Sequence, residues 1–295
     1  PVALVAADHP EQARVAAERV RVVYEPLEPI ADMERARQSP ELHPGTGNVV
    51  RHITVRHGDP TREGDVSVSG VYETGIQDQA FLGPEAGLAV PDGEGGVDIY
   101  VATQWLHVDR AQIAPCLALA PERVRVHLAG VGGAFGGRED VSMQIHGAML
   151  ALHTGRPVKI VYSREESFSG HVHRHPSRIW AEHRATRDGR LVSVRMHILL
   201  DGGAYASSSS AVCSNAASLG AGPYSVPNAL LEGTAVYTTN PPCGAMRGHG
   251  SVDVRHAFEN LVDRMARELG HDPFAVRRAN LLAAPTRTLN VSGSA

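Results

Sequence analysis

The 295-residue chain is 42% hydrophobic and 20% charged, enough apolar surface for a sizeable core, which excludes a disordered chain. Its formal net charge is −4, Lys159 is the only lysine and no basic block occurs, which argues against a nucleic-acid partner. No apolar run reaches the roughly 18 residues of a membrane span, and Cys116, Cys213 and Cys243 form no C-x-x-C pair, which excludes a zinc ribbon or a bound iron–sulfur cluster and fits a reducing, cytoplasmic setting.

Val2–Ala6 and Val20–Tyr24 read as short strands flanking a helix that starts at His9-Pro10-Glu11. That is too small for a domain, and the chain opens on Pro1. Residues 1–37 are therefore expected to be the tail of a preceding domain, and the chain a piece of a larger enzyme. Residues 38–60, with Pro40, Pro44, Gly45, Gly47 and Pro60, read as a linker. Strand-like runs follow at Val66–Tyr72, Gly87–Val90, Val97–Thr103 and Val124–Leu128. Val141, Ile145, Ala148, Met149 and Leu152 mark an amphipathic helix that Gly155-Arg156-Pro157 ends. Val158–Tyr162 is a strand, and Trp180–Thr186 and Leu191–Leu199 form a hairpin through Asp188-Gly189. The small residues from Gly202 to Gly222 are too apolar for a linker. Val254, Phe258, Leu261, Met265 and Leu269 trace a long helix stopped by Gly270, and Asp272-Pro273 starts a shorter one. Residues 61–284 form the main domain and 285–295 a tail. The fold class is α+β, with mixed sheets and covering helices.

Three segments carry chemistry. Gly130 to Gly137 places five glycines in eight residues between a strand and a helix, a backbone able to turn its N–H groups toward an anion. A dinucleotide fingerprint fails because Phe135 stands where the third glycine is needed, and no Walker lysine follows. Thr239 to Gly250 sets Arg247 and His249 among glycines behind two prolines, which suits anion contact. His171, His173 and His175 alternate as on one strand face, but no acid or cysteine beside them completes a metal site. No G-x-S-x-G elbow and no H-E-x-x-H occur, so serine hydrolase and zinc peptidase chemistry have no support.

Five features in order resemble the molybdenum-cofactor subunit of the xanthine dehydrogenase and aldehyde oxidase family. They are Thr103-Gln104, Gly132-Gly-Ala-Phe-Gly-Gly-Arg-Glu139, Gly155-Arg156-Pro157-Val158 with Arg164-Glu165-Glu166, Ala245-Met-Arg-Gly248, and Arg277-Arg278-Ala279-Asn280-Leu281. Gln77 to Glu85 and His171 to Pro176 are similar to bacterial xanthine dehydrogenases built from separate subunits. The resemblance implies an α/β hammerhead remnant over 1–37 and a first molybdopterin-binding domain over 61–284. It also implies a molybdenum–molybdopterin cofactor, in bacteria the cytosine dinucleotide form, ligated by its own dithiolene and by no protein side chain. Gln104, Phe135 and Arg247 become neighbours of the metal, and Gly132, Gly133, Ala134 and Gly136 line the cofactor. Gln104, Glu139 and Arg247 become catalytic, and Glu139, Asn215 and His249 contact substrate. Iron–sulfur and FAD partner subunits, a heterocyclic substrate such as a purine, and a second cofactor domain holding the general base are implied as well, so this piece alone is expected to be inactive. Asn215 and His249 depart from the residues common in purine-oxidising relatives. They keep open an aromatic acyl-CoA or an aldehyde as substrate, and a cofactor-free interaction domain is the reading from another class.

Overall fold

The computed structural model describes residues 2–282, so the tail expected at 285–295 lies outside the described residues. In chain order the elements are α1 (Pro10–Ala17), α2 (Met33–Ala36), β1 (Val49–His57), β2 (Val66–Thr74), β3 (Ala86–Pro91), β4 (Val97–Val101), α3 (Leu106–Cys116), β5 (Val124–Leu128), α4 (Gln144–Thr154), β6 (Val158–Val161), α5 (Arg164–Gly170), β7 (Ser177–Ala185), β8 (Leu191–Asp201), α6 (Ser209–Ser218), β9 (Ala229–Val236), α7 (Ser251–Leu269) and α8 (Pro273–Asn280). The class is α+β with two mixed sheets, as the alternation of strand and helix patterns requires. Two compact units share the chain: Pro1–Glu28 with Gln79–His171, and Pro29–Asp78 with Val172–Ala295.

The first unit is built on a four-stranded sheet of order β5-β4-β3-β6, in which β4 and β5 run parallel and the other pairs antiparallel. Its inward residues Ala89, Val97, Ile99 and Val101 bury against Ile113 of α3 and Ala148 of α4. Helix α4 begins only at Gln144, because Gln144 turns its amide oxygen back to the Ser142 N–H at 2.6 Å, and it ends where Gly155 takes φ +67°. Helix α5 is started by a capping box, Ser163 bonding Glu166 N and Glu166 bonding Ser163 N. Over residues 2–28 only α1 is regular, capped by His9 with Pro10 in its first turn. The runs 2–6 and 20–24 are irregular and not strands. A strand exists by pairing, and neither run has a ladder partner among the described residues.

The second unit carries a five-stranded sheet of order β1-β9-β8-β7-β2, with β8 and β9 parallel and the remaining pairs antiparallel. Along β7 burial alternates residue by residue, so Ile179, Ala181 and His183 face the core while Arg178, Trp180 and Glu182 face away. Helix α7 lays Val254, Phe258, Leu261 and Met265 on that core face, and α6 packs against β1 and β9. The small-residue stretch thus folds into α6, and its low volume permits close approach: a Cβ on Gly250 would stand 2.2 Å from Val212 O. Gly270 at φ +68° ends α7, and Asp272 accepts from Ala275 N to start α8.

Residues 38–60 are not a linker. Strand β1 lies inside that span and pairs with β9 over its whole length. The Pro/Gly stretch before it is closed by Asn48, whose Nδ2 donates to the carbonyls of Ala36, Ser39 and Pro40. An edge strand with a wet face needs few apolar residues, and Arg51, His52, Arg56 and His57 hid it.

Candidate functional site

In the first unit, β5 delivers the glycine loop, and Ala129 N still bonds Val101 O at 3.0 Å. The loop then turns on itself through Gly137 N to Ala134 O and Glu139 N to Gly136 O. Gly133 and Gly136 take φ +100°, open to glycine alone, while Phe135 is held at φ +53°. A positive φ is costly for a bulky residue, and the Phe135 ring is about half exposed. Gly130 and Gly132 face open space, and among the described residues no backbone hydrogen bond uses the N–H of Gly132 or Gly133. This is a cradle of uncovered main chain.

Arg138 fixes the loop from beneath. Its Nε donates to Gly133 O, its Nη2 donates to Gly83 O, and its guanidinium lies 4.3 Å from the centre of the buried Phe81 ring. Burial lowers the pKa of Arg138, opposed by the charge of Glu85.

Gln104, on the segment after β4, is brought to Glu139. Gln104 N donates to Arg138 O at 2.9 Å, its Oε1 accepts from Arg138 N at 3.3 Å, and its Nε2 donates to Glu139 Oε1 at 3.4 Å. The other oxygen, Glu139 Oε2, is buried without a hydrogen-bond partner. Burial, then the charge of Asp140, pushes the Glu139 carboxyl above its ordinary range, and the Gln104 bond partly offsets this. A half-buried acid with one oxygen unclaimed can share a proton with a ring nitrogen or carbonyl of a ligand.

Arg247, His249 and Asn215 belong to the second unit. Cys243 N bonds Gly202 O and Gly244 N bonds His173 O, which secures the segment ahead of Arg247. Arg247 O accepts from Nη2 of the buried Arg174, which also bonds Gln77 Oε1 and lies 3.7 Å from Asp253. His249 closes a turn to Met246 O at φ +45°, and burial lowers its pKa. Gly250 sets this turn directly on α6, the helix that carries Asn215.

The alternate histidines do not share a strand face. His171 bonds Gln79 and Ser167 O, and His175 bonds Ser209 Oγ with its pKa pushed down to about 3 by burial. Asp78 stands 3.6 Å from His173 Nε2, an acid far away in sequence.

Sequence reasoning missed Phe81 and Arg138 as supports, and also Asp109 and Gln144, both buried beneath the Gln104 segment. Asp109 left a signal: it precedes Ile113 by four positions, an acid on the apolar face of α3.

Residues 42–281 match a family model described as the molybdopterin cofactor-binding domain. The nicotinate dehydrogenase large molybdopterin subunit of Eubacterium barkeri is 39% identical over 283 residues, 95% of this chain and 67% of that one. A probable xanthine dehydrogenase subunit of Bacillus subtilis is 36% identical over 286 residues, 95% of this chain and 38% of that one. Among solved structures, the aldehyde oxidoreductase from Desulfovibrio gigas superposes with a TM-score of 0.92 at 28% identity, over 98% of this chain and 32% of that chain. The chain thus spans only part of the proteins it resembles.

Proposed function

Because the chain belongs to the molybdopterin cofactor-binding domain family, we propose that it is the cofactor-holding part of the large subunit of a molybdenum hydroxylase. Its substrate is a nitrogen heterocycle of the purine or pyridine-carboxylate class. The observation that carries this reading is the Gln104–Glu139 pair beside the uncovered glycine cradle.

The residues fit the group. The open face at Gly132 and the N–H groups of Gly132 and Gly133 leave room and donors for a bulky polar cofactor. In the first unit Gln104 and Gly132 to Gly136 are the residues that would hold it, and when bound it supplies two-electron oxidation with water as the oxygen source. Gln104 offers a neutral amide donor and so adds no charge of its own. Glu139 binds and orients the heterocycle, its raised pKa keeping a proton available for a ring nitrogen. The resemblance to a nicotinate dehydrogenase subunit agrees with a substrate other than purine alone.

The cytosine dinucleotide form of the cofactor, iron–sulfur and FAD partner subunits and a cytoplasmic setting complete the proposal. The subunit names of the relatives support the partners, and no helix among the described residues is long and apolar enough to cross a membrane. The test is metal and pterin analysis of the full-length chain co-expressed with its partners, followed by turnover of nicotinate, xanthine and an aromatic aldehyde. Stoichiometric molybdenum and heterocycle oxidation that Gln104→Ala abolishes are expected. An assembled complex without molybdenum, or one indifferent to Gln104→Ala, overturns the proposal.

A further inference from the structure

We propose that Arg174 is the positioning residue of the Arg247 turn: its guanidinium, spread between Gln77, Asp253 and the Arg247 carbonyl, fixes the point from which the Arg247 side chain departs. Its meaning for catalysis rests on the function proposed above and on the family resemblance that makes Arg247 catalytic; its structural content does not.

Arg174 sits among the alternate histidines of the second unit, with its side chain only 7% exposed. Its backbone is anchored first. Arg174 N donates to Gln77 O at 2.9 Å, an isolated antiparallel bridge. The guanidinium then divides its donors. Nε donates to Gln77 Oε1 at 3.0 Å, and Nη2 donates to Arg247 O at 2.9 Å. A guanidinium offers donors alone, so the Gln77 amide must present its oxygen here. Nη1 lies 3.7 Å from Asp253 Oδ2, an ion-pair distance and not a hydrogen bond. Asp253 stands in the first turn of α7, equally buried, and is the acid that balances the guanidinium. Burial pushes the Asp253 carboxyl upward, and the Arg174 charge opposes this.

The turn needs such a tie. Gly248, His249 and Gly250 take φ of +94°, +45° and +93°, three left-handed residues in succession. The bonds that close the turn are internal: His249 N to Met246 O, and Ser251 N and Oγ to Gly248 O. They set its shape without setting the place of its first residue. Gly250, packed on Val212 O, fixes the far end. Arg247 O, at the near end, is held by a side chain 73 residues away in sequence. A planar fork aims Nε and Nη2 at two separate acceptors. A lysine ammonium carries its donors on one atom, so it could balance Asp253 but could not hold both Gln77 and Arg247. Charge alone is therefore insufficient at position 174.

The test is amide hydrogen exchange on the full-length chain in its complex, read in peptides covering 245–252 and 256–268 and corrected for intrinsic rates. R174K keeps the charge beside Asp253. Q77A removes an exposed partner that lies outside both the turn and α7. Both should raise exchange over 245–252, R174K by about tenfold, the worth of one lost hydrogen bond, while 256–268 exchanges as in the parent. In the loaded complex R174K should lower kcat by about tenfold, with KM and molybdenum content near parental, because a small misplacement suffices. Parental exchange over 245–252 in R174K overturns the proposal. So does a rise spread equally over 256–268, which would make Arg174 a support of the core. Should R174K not fold, parental exchange over 245–252 in Q77A overturns the proposal instead. A loosened turn with parental kcat defeats the reading of Arg247 as catalytic. Exchange needs neither cofactor nor turnover, so a complex without molybdenum defeats the proposed function and leaves this test decisive.

Discussion

Two glycines of one loop are expected to respond to the same substitution in opposite ways. A Cβ on Gly137 would stand 2.7 Å from Phe81 Cε1 and 3.0 Å from Gln79 Cδ, both below ordinary contact. Phe81 cannot swing aside: it is fully buried, with the Arg138 guanidinium over one face and the Arg164 guanidinium 5.8 Å from its centre. Gly→Ala at an unstrained position gains about 0.4–1 kcal/mol through the unfolded chain. Forcing an extra carbon into a packed site costs about 1–3 kcal/mol. The clash outweighs the gain, so G137A should be destabilised by about 1–2 kcal/mol, several degrees in Tm for a domain of this size. At Gly132 a Cβ would meet nothing within 4 Å, and its φ is not positive. G132A should stay within about 0.5 kcal/mol of the parent, but its methyl intrudes on the open face, so molybdenum content should fall. Denaturant unfolding of both full-length variants, with metal analysis of the same preparations, checks the pair. A G137A chain as stable as the parent would refute the claim that Phe81 is clamped, and G132A with full molybdenum would remove the loop from the cofactor site.

Further expectations concern titration. Glu139 has a raised folded pKa, so its neutral form prevails below that value and is lost as pH rises through it. Affinity for a heterocycle bound through the Glu139 proton should fall over that window, and E139Q should remove the dependence in a binding titration. His183 is buried on β7, 4.3 Å from Phe258 by ring centres, with both ring nitrogens unbonded and its pKa pushed down to about 3. H183L should stabilise the chain by about 1 kcal/mol by removing unsatisfied polar atoms, measurable by denaturant unfolding. The depressed values of His183 and His175 mean that their neutral-state stability is complete above the ordinary histidine value and drains as pH falls toward about 3. Acid unfolding of H183L should therefore begin at lower pH than in the parent.

Strands β2 to β8 and helices α4 and α7 were legible because each has an apolar period or a stop, as Gly155, Gly270 and Asp188-Gly189 show, whereas β9 and α3 were not read from the sequence. Strand β1 was not, since six of its nine residues are exposed and its partner β9 lies far along the chain. The site roles of Gln104 and Glu139 were implied by resemblance alone; no local pattern predicts their contact, which is set by Gln104 N donating to Arg138 O and Gln104 Oε1 accepting from Arg138 N. Phe81 read as one aromatic among five phenylalanines, and only the structure shows what Gly137 and Arg138 ask of it. The run 20–24 has the apolar character of a strand, but that character alone does not supply a ladder partner.

The partnership of β1 with β9 also sets an order of assembly. Residues 86–161 contain every strand of the four-stranded sheet, so that sheet can close while the ribosome is still making the rest. Strand β1 emerges earlier yet must wait for residues 229–236 before its ladder exists. During that interval its Val49, Ile53 and Val55 are uncovered, and the nascent chain carries a strand edge in search of a match. The charged residues that disguised β1 in the sequence are the ones that keep such an edge from pairing with the wrong chain.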